Sequence, residues 1–347
     1  MRLGLVARCD NSGLGIQTWE YFRHLDPAKT LVIDVGHLAA RPRHCNKQSH
    51  RDRYPDATFN RGWTLTDQTV RAFLDGLDVV LGAETFYTPN MYRIAREMGV
   101  KTVLAPNWEF LDPQAEPDLW LAPSLWHYDD IPEPKQHLPV PLATDRFPLR
   151  ELPDVATHIL HIVGRPAVHD RNGTHDLLAA LQYVDAPITV TIKCQAPDYV
   201  RGLLNQFGIA VPPHITLNID TTSPENYWDN YRGDFDLAVM PRRYGGLCLP
   251  VNEAIAAGLP VLMPGIDPNN TWLPPEWLLP ASPQGSFAAK QTIIYYSIDH
   301  WALAERINQY ATDPDAYALA KTKAKLIRAT HSWTALQAHY RKALTCT

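Results

Sequence analysis

The chain has 347 residues, 45% of them hydrophobic and 20% charged, which is the composition of a soluble globular protein long enough for two domains. A net charge of −5 excludes a nucleic-acid polycation, so any contact with nucleic acid has to be local. The five cysteines (Cys9, Cys45, Cys194, Cys248, Cys346) show no zinc-like spacing and no even count. Reduced thiols and a cytoplasmic protein are therefore expected. Met1-Arg2 leads straight into a strand with no signal peptide, and no run approaches the roughly 18 apolar residues of a membrane span.

The first half alternates short apolar runs with helical patterns. Leu3–Ala7, Leu31–Val35, Asp78–Leu81, Thr102–Ala105 and Leu119–Ala122 read as buried strands, and Ile16–Leu25 and Asn90–Met98 as helices. Such alternation predicts a parallel sheet covered by helices. A break follows at Asp145-Arg146-Phe147-Pro148. Strands are predicted again at Ile159–Arg165, Ile188–Ile192 and Ile215–Leu217, with helices at Thr174–Tyr183, Pro224–Arg232 and 299–310. Residues 265–292 are Pro-rich and carry no clear pattern, and one long helix is expected over 315–343.

The most informative stretch is 235–264. An apolar run from Phe235 ends at Pro241, as a buried parallel strand does. A loop follows, Arg242-Arg243-Tyr244-Gly245-Gly246-Leu247-Cys248-Leu249. Pro250 then suits the first position of a helix, Glu253 its first turn and Gly258 its C-terminal cap. A second apolar strand, Leu259–Pro264, completes the unit. Glycines wrapped around a helix N-terminus expose N–H groups at the positive end of the dipole, which suits a phosphate. Glu253 is placed to accept hydroxyl hydrogens from a sugar.

This stretch resembles the nucleotide-sugar signature of retaining GT-B glycosyltransferases, the large bacterial group related to glycogen and lipid-linked sugar transferases. Their pattern is Glu-Gly-Phe-Gly-Leu-Pro-x-x-Glu-Ala, then small residues, Gly and Pro-Val. Gly245-Gly246-Leu247-Cys248-Leu249-Pro250-Val251-Asn252-Glu253-Ala254 keeps the second Glu as Glu253 and has Gly245 in place of the first. In that family the first Glu lies near the donor sugar. Asp145–Pro148 and Ala122-Pro123-Ser124 match further family positions.

The resemblance implies an α/β GT-B fold, two Rossmann-like domains facing a cleft. The expected parts are an acceptor domain at 1–150, a nucleotide-sugar-binding domain at 151–315, and a C-terminal helix at 316–347 crossing back to the first. It implies a diphosphate clamp made of Gly164-Arg165 and Arg171, with Arg171 standing in for the more usual Lys. It also implies a nucleotide-diphosphate sugar as donor (a UDP-sugar, with GDP as the other choice), no metal, and retention at the anomeric carbon. Asp234-Phe235-Asp236 imitates a metal motif of the other glycosyltransferase fold, and its place at a strand start reads as structural.

Gly13-Leu14-Gly15 after the first strand, with Asp34 after the second, also imitates a dinucleotide fingerprint lacking its third glycine. A nicotinamide-dependent oxidoreductase is the rival enzyme class; in the glycosyltransferase reading, Gly13 and Gly15 let the backbone approach donor phosphates and acceptor. A non-catalytic sugar-nucleotide-binding protein is the third possibility. Asn107, Glu109 and Glu84 lie just beyond strand ends and are candidate catalytic residues.

Residues 41–61 hold Arg41, Arg43, Lys47, Arg51, Arg53 and Arg61 against Asp52 and Asp56, a local charge of +4. With His44, His50, Tyr54 and Trp63 nearby, the segment suits a nucleic-acid backbone and unstacked bases. The opening Asp10–Glu20 is similar to glycosyltransferases of actinobacterial phages, some associated with sugar decoration of hydroxymethylated DNA bases and others with virion proteins. Hydroxymethylated DNA is thus the favoured acceptor, ahead of a virion protein or a small glycoside, and Tyr54 or Trp63 would stack on an extruded base.

Overall fold

The computed structural model describes residues 1–35 and 48–345. In chain order the elements are β1 (Leu3–Arg8), α1 (Gly13–Leu25), β2 (Lys29–Asp34), α2 (Gln48–Arg51), β3 (Thr58–Arg61), α3 (Asp67–Leu74), β4 (Val79–Ala83), α4 (Asn90–Met98), β5 (Lys101–Ala105), β6 (Leu119–Ala122) and β7 (Lys135–His137). They continue with β8 (His158–Gly164), α5 (Thr174–Leu181), β9 (Thr189–Cys194), α6 (Pro197–Phe207), β10 (Thr216–Asp220), β11 (Leu237–Val239), α7 (Leu249–Ala256) and β12 (Val261–Pro264). The last are α8 (Asn269–Trp272), β13 (Leu278–Leu279), β14 (Ala281–Ala288), β15 (Thr292–Ile298), α9 (His300–Thr312), α10 (Pro314–Thr330) and α11 (Trp333–Thr345).

The chain divides into two compact units. The first comprises Met1–Val140, Ala289–Gln291 and the chain from Trp333 on; the second comprises Pro141–Ala288 and Thr292–Ser332. The first carries a seven-stranded sheet in the order β3-β2-β1-β4-β5-β6-β7, the second a six-stranded sheet in the order β10-β9-β8-β11-β12-β13. Every pairing in both sheets is parallel. The central strands β1, β4 and β11 are buried along their whole length, which is why they read as continuous apolar runs rather than alternating ones.

In the first unit, Leu31, Ile33, Val80, Phe86, Met91, Ile94 and Trp120 belong to one apolar cluster beneath α3 and α4. The terminal helix α11 closes part of this unit: Trp333 meets Tyr21 edge-on at 6.1 Å, and Tyr340 Oη donates to the Pro139 carbonyl at 3.0 Å. In the second unit, Phe147 of the predicted break is buried and meets Tyr231 edge-on at 5.6 Å. Arg328 of α10 donates to the carbonyls of Ala256, Thr144 and Phe147 at 2.8, 3.0 and 2.9 Å.

Three local expectations are corrected. The single helix expected over 315–343 is two helices, interrupted at His331-Ser332. The Leu142 N–H donates to the His331 carbonyl at 2.8 Å, so that carbonyl serves a neighbouring chain segment rather than helix continuation. Residues 224–232 contain a short 3-10 turn, Tyr227–Tyr231, rather than an α-helix. The Pro-rich stretch holds β14, the first strand of an antiparallel hairpin whose second strand β15 runs on from Thr292 to Ile298, with a register irregularity between Pro283 and Gly285.

Candidate functional site

In open parallel sheets, ligands bind beyond the carboxyl ends of strands where the strand order reverses. In the second sheet that point lies between β8 and β11. β8 ends at Gly164 with φ +59°, a left-handed turn that favours glycine, and Arg165 follows exposed to solvent. The loop then passes through left-handed His169 and Asp170. The Asp170 carboxylate accepts from the N–H groups of Thr174 and His175 at 3.1 and 2.7 Å, and so caps α5. Tyr199 Oη fixes that carboxylate from the other side at 2.6 Å.

Gly173 locks this loop to the one after β11. Its φ is +68°, and a Cβ there would lie 1.9 Å from the Pro241 carbonyl oxygen. Below it, buried His161 bridges the Val239 carbonyl oxygen (2.8 Å) and Thr174 Oγ1 (3.1 Å). Burial lowers its pKa, so the neutral ring donates from Nδ1 and accepts at Nε2. The result is that Arg171 is carried against the Gly-rich loop. Its carbonyl oxygen accepts from the Arg243 N–H at 2.9 Å, and its guanidinium lies over the Tyr244 ring at 5.2 Å. A Cβ built on Gly245 would fall 2.6 Å from Arg171 Nη2 and 2.7 Å from Arg242 Nη2.

Gly246, Leu247 and Cys248 lead from there into α7, all partly accessible. The helix starts at Leu249, so Pro250 is its second residue, and Cys248 at the N-cap makes no side-chain capping bond. This N-terminus, unlike that of α5, has no carboxylate cap at its first turn. Glu253 stands one residue beyond the first turn where it was expected, and its Oε2 accepts from Tyr231 Oη at 2.6 Å. Burial, then the Glu253 charge, push the Tyr231 hydroxyl well above its ordinary pKa, so it remains a donor.

Asp236 sits at the opposite end of this sheet. It is buried, and its Oδ2 accepts from the N–H groups of Thr157 and His158 at 3.0 and 2.9 Å, a structural role at a strand start.

In the first unit the corresponding reversal lies between β1 and β4. Arg8 Nε donates to the buried Asp10 at 3.0 Å, and Asp10 accepts from the Ser12 N–H at 2.8 Å. A Cβ on Gly15 would meet the Asp10 carbonyl oxygen at 2.0 Å, so Gly15 answers to the packing of its own loop; Gly13 opens α1 and is exposed. Asp34, the ribose-binding position of a dinucleotide fingerprint, is buried and ion-paired with Arg51.

Glu84, Asn107 and Glu109 lie just past the ends of β4 and β5. Asn107 Nδ2 donates to Glu84 Oε2 at 2.8 Å. Burial raises the Glu84 pKa; Asn107 lowers it and Glu109 raises it further.

The basic segment is changed most by the structure. Arg41, Arg43, His44 and Lys47 lie outside the described residues. Arg53 donates to Asn11 Oδ1 at 2.8 Å and lies over Trp19 at 4.1 Å. Tyr54 is 1% exposed, with its hydroxyl donating to the Arg8 carbonyl at 3.0 Å, so it cannot stack on a base. Trp63 is 38% exposed and stacks on Tyr87 at 5.7 Å.

Sequence reasoning missed Arg242, Tyr231 and Asp170. The only signal for the first was a cation three residues ahead of a glycine that occupies a carboxylate's place in the resembling family.

The two sheets give the chain the GT-B fold, and solved structures of that fold align with it end to end. Anabaena HepE, solved in complex with UDP and glucose, superposes with a TM-score of 0.68 at 12% identity, over 100% of both chains. Sucrose-phosphate synthase from Thermosynechococcus elongatus superposes with a TM-score of 0.65 at 14% identity, again over 100% of both. The E. coli trehalose-6-phosphate protein bound with UDP-2-fluoro glucose gives 0.60 at 10% identity, over 99% of both. No protein-family model matches the sequence, and no curated protein sequence matches it.

Proposed function

We propose that the protein is a glycosyltransferase that moves a hexose from a nucleotide-diphosphate sugar to an acceptor hydroxyl, with retention at the anomeric carbon. One observation carries this reading: Arg171 converges on a Gly-rich loop and an uncapped helix N-terminus at the switch point of the second sheet. A guanidinium near the positive end of the α7 dipole suits a diphosphate. A UDP-sugar is favoured over a GDP-sugar because structures of similar fold were solved with UDP or UDP-2-fluoro glucose. Glu253, held by Tyr231, is assigned to the ribose hydroxyls. Gly164, Gly245, Gly246, Leu247, Cys248 and Leu249 are assigned to the backbone cradle.

In this mechanism the bond from the anomeric carbon to the β-phosphate oxygen breaks as the acceptor oxygen attacks the same face. The acceptor proton passes to the departing phosphate. Arg165 and Arg171 stabilise the charge that develops on the leaving diphosphate. Asn107 and Glu109 of the first unit are the further catalytic candidates, with Gly13 and Gly15 in the loop after β1. The oxidoreductase reading loses support because Asp34 is paired with Arg51 and Gly15 is occupied with Asp10.

Hydroxymethylated pyrimidines in DNA are the proposed acceptor, a virion protein or small glycoside the alternative. Among the described residues, support for DNA rests on exposed Arg61 and Trp63, since Tyr54 is buried and Arg51 and Arg53 are engaged.

The test is hydrolysis and binding across UDP- and GDP-sugars, with NAD and NADP as controls. Slow hydrolysis of one sugar nucleotide supports the transferase; binding without turnover identifies a binding protein; preference for nicotinamide dinucleotides overturns the reading. Transfer of labelled sugar to hydroxymethylcytosine DNA, unmodified DNA and a virion-protein lysate then decides the acceptor.

A further inference from the structure

Three side chains with metal-ligating chemistry meet where the first turn of α5 lies against the start of α9. Asp176 is buried, and its Oδ1 accepts from Ser297 Oγ of β15 at 2.7 Å. The same oxygen has His300 Nε2 at 3.0 Å and His175 Nδ1 at 3.7 Å. One ligand atom from each of His175, Asp176 and His300 lies within 4.8 Å of the other two. Phe207 of α6 packs on the His175 ring at 4.0 Å and limits its rotation. The two imidazoles are 25% and 29% exposed, which leaves a path from solvent to the buried carboxylate. Asp176 Oδ2 is buried too and accepts no hydrogen bond among the described residues. Arg243 Nε stands 3.9 Å from that oxygen and donates to the Tyr296 carbonyl at 2.6 Å. The guanidinium therefore lies by one carboxylate oxygen and the imidazoles by the other. A buried carboxylate with an unmet acceptor draws a cation.

We propose that His175, Asp176 and His300 bind one divalent transition-metal ion, of which Zn²⁺ fits the donor set best. Two imidazole nitrogens and a carboxylate oxygen form a zinc site whose fourth position takes water. Ligand atoms about 2.0–2.2 Å from a tetrahedral ion stand roughly 3.4 Å apart. The observed 3.0 and 3.7 Å straddle that spacing. Mg²⁺ and Ca²⁺ prefer oxygen ligands and suit the cluster poorly. The ion takes both imidazoles in their neutral form and replaces the contact between His300 and Oδ1. Ser297 then orients the carboxylate, and Phe207 the His175 ring. The charge of Arg243, across the carboxylate, weakens the site without occupying it. Bound there, the ion clips the first turn of α5 to the first residue of α9. Its role is structural, and it does not depend on the nucleotide-sugar reading.

The test is calorimetry with Zn²⁺ alone, on full-length protein first treated with a chelator. The wild type should bind one equivalent tightly and melt at a higher temperature when loaded. His175→Gln and His300→Gln should each weaken that binding by about 100-fold or more, beyond the roughly 10- to 100-fold that loss of a supporting group such as the Ser297 hydroxyl costs. His339→Gln, a change at an exposed histidine of α11, should leave it unaltered. Absence of a tight equivalent in the wild type overturns the proposal. So does an equivalent whose affinity survives both His175→Gln and His300→Gln. X-ray absorption of the zinc-loaded wild type reads the ligands directly and needs no variant to fold. Two imidazoles with oxygen uphold the site, and sulfur from the free cysteines overturns it.

Discussion

Tyr231 Oη donates to Glu253 Oε2 at 2.6 Å, so the carboxylate proposed for the ribose is held by a buried phenol from a different element. Glu253→Gln should weaken the bare nucleoside diphosphate by about tenfold or more, the scale of a hydrogen bond to a charged group. Tyr231→Phe keeps the charge but frees the carboxylate to turn, and should cost about fivefold. Calorimetry with UDP measures both. Equal affinity across the wild type and both variants would remove Glu253 from nucleotide binding and leave it as a helix charge.

Arg165 and Arg171 are assigned to the leaving diphosphate. Replacing either with Ala should lower turnover by about 10²-fold or more, the scale of losing one group that stabilises developing charge. Steady-state hydrolysis of the sugar nucleotide, with circular dichroism to confirm folding, reads this out. Near-normal turnover in both variants would take the clamp out of the mechanism.

The position of Arg171 depends on Gly173, which has φ +68° and no room for a Cβ against the Pro241 carbonyl oxygen at 1.9 Å. Gly173→Ala combines backbone strain with a clash between two backbones, for which roughly 1–3 kcal/mol is expected from the strain alone. A lower melting temperature should come with a greater loss of turnover than of overall helix content, because the loop carrying Arg171 must move. A Gly173→Ala protein as stable and active as the wild type would show that the two loops are not locked together.

What the sequence made legible follows from burial. β1, β4, β5 and β6 were readable because both faces of a parallel sheet are covered, leaving apolar runs, and β8 because Ile159, Leu160, Ile162 and Val163 keep the pattern around His161. β3 was not, because Thr58–Arg61 is largely exposed and polar at the edge of its sheet. β14 was hidden because Pro283 and Gly285 sit inside it at an irregular register, which solvent exposure tolerates. α3 and α6 carry ordinary helix signals in the sequence, a Thr66 N-cap in one and Pro197 with left-handed Gly208 in the other. At the site, glycines and the helix start were visible as local chemistry. Tyr231 and Arg242 were not, because their roles depend on which loops the sheet order brings together.

Asp176, in the first turn of α5, allows a prediction with a definite sign in pH. It is 1% exposed, and burial alone would raise its pKa. Hydrogen bonds from His175, His300 and Ser297, and the charge of Arg243, outweigh burial and bring it down to about 2. Ser297 Oγ donates at 2.7 Å, His300 Nε2 stands 3.0 Å away, and Arg243 Nε lies 3.9 Å from the other oxygen. An unfolded Asp titrates near ~3.9, so the folded pKa is depressed. The stability it contributes is therefore full above about pH 4 and is lost as pH falls from there toward 2. A shift of this size corresponds to about 2 kcal/mol. Asp176→Asn should lower the melting temperature at pH 7, and the gap between variant and wild type should close below about pH 3. The same substitution frees Arg243, which holds the His169 and Tyr296 carbonyls at 3.2 and 2.6 Å beside the loop of Arg171. A gap that stays constant from pH 7 to pH 2 would mean that Asp176 contributes through packing and not through its charge.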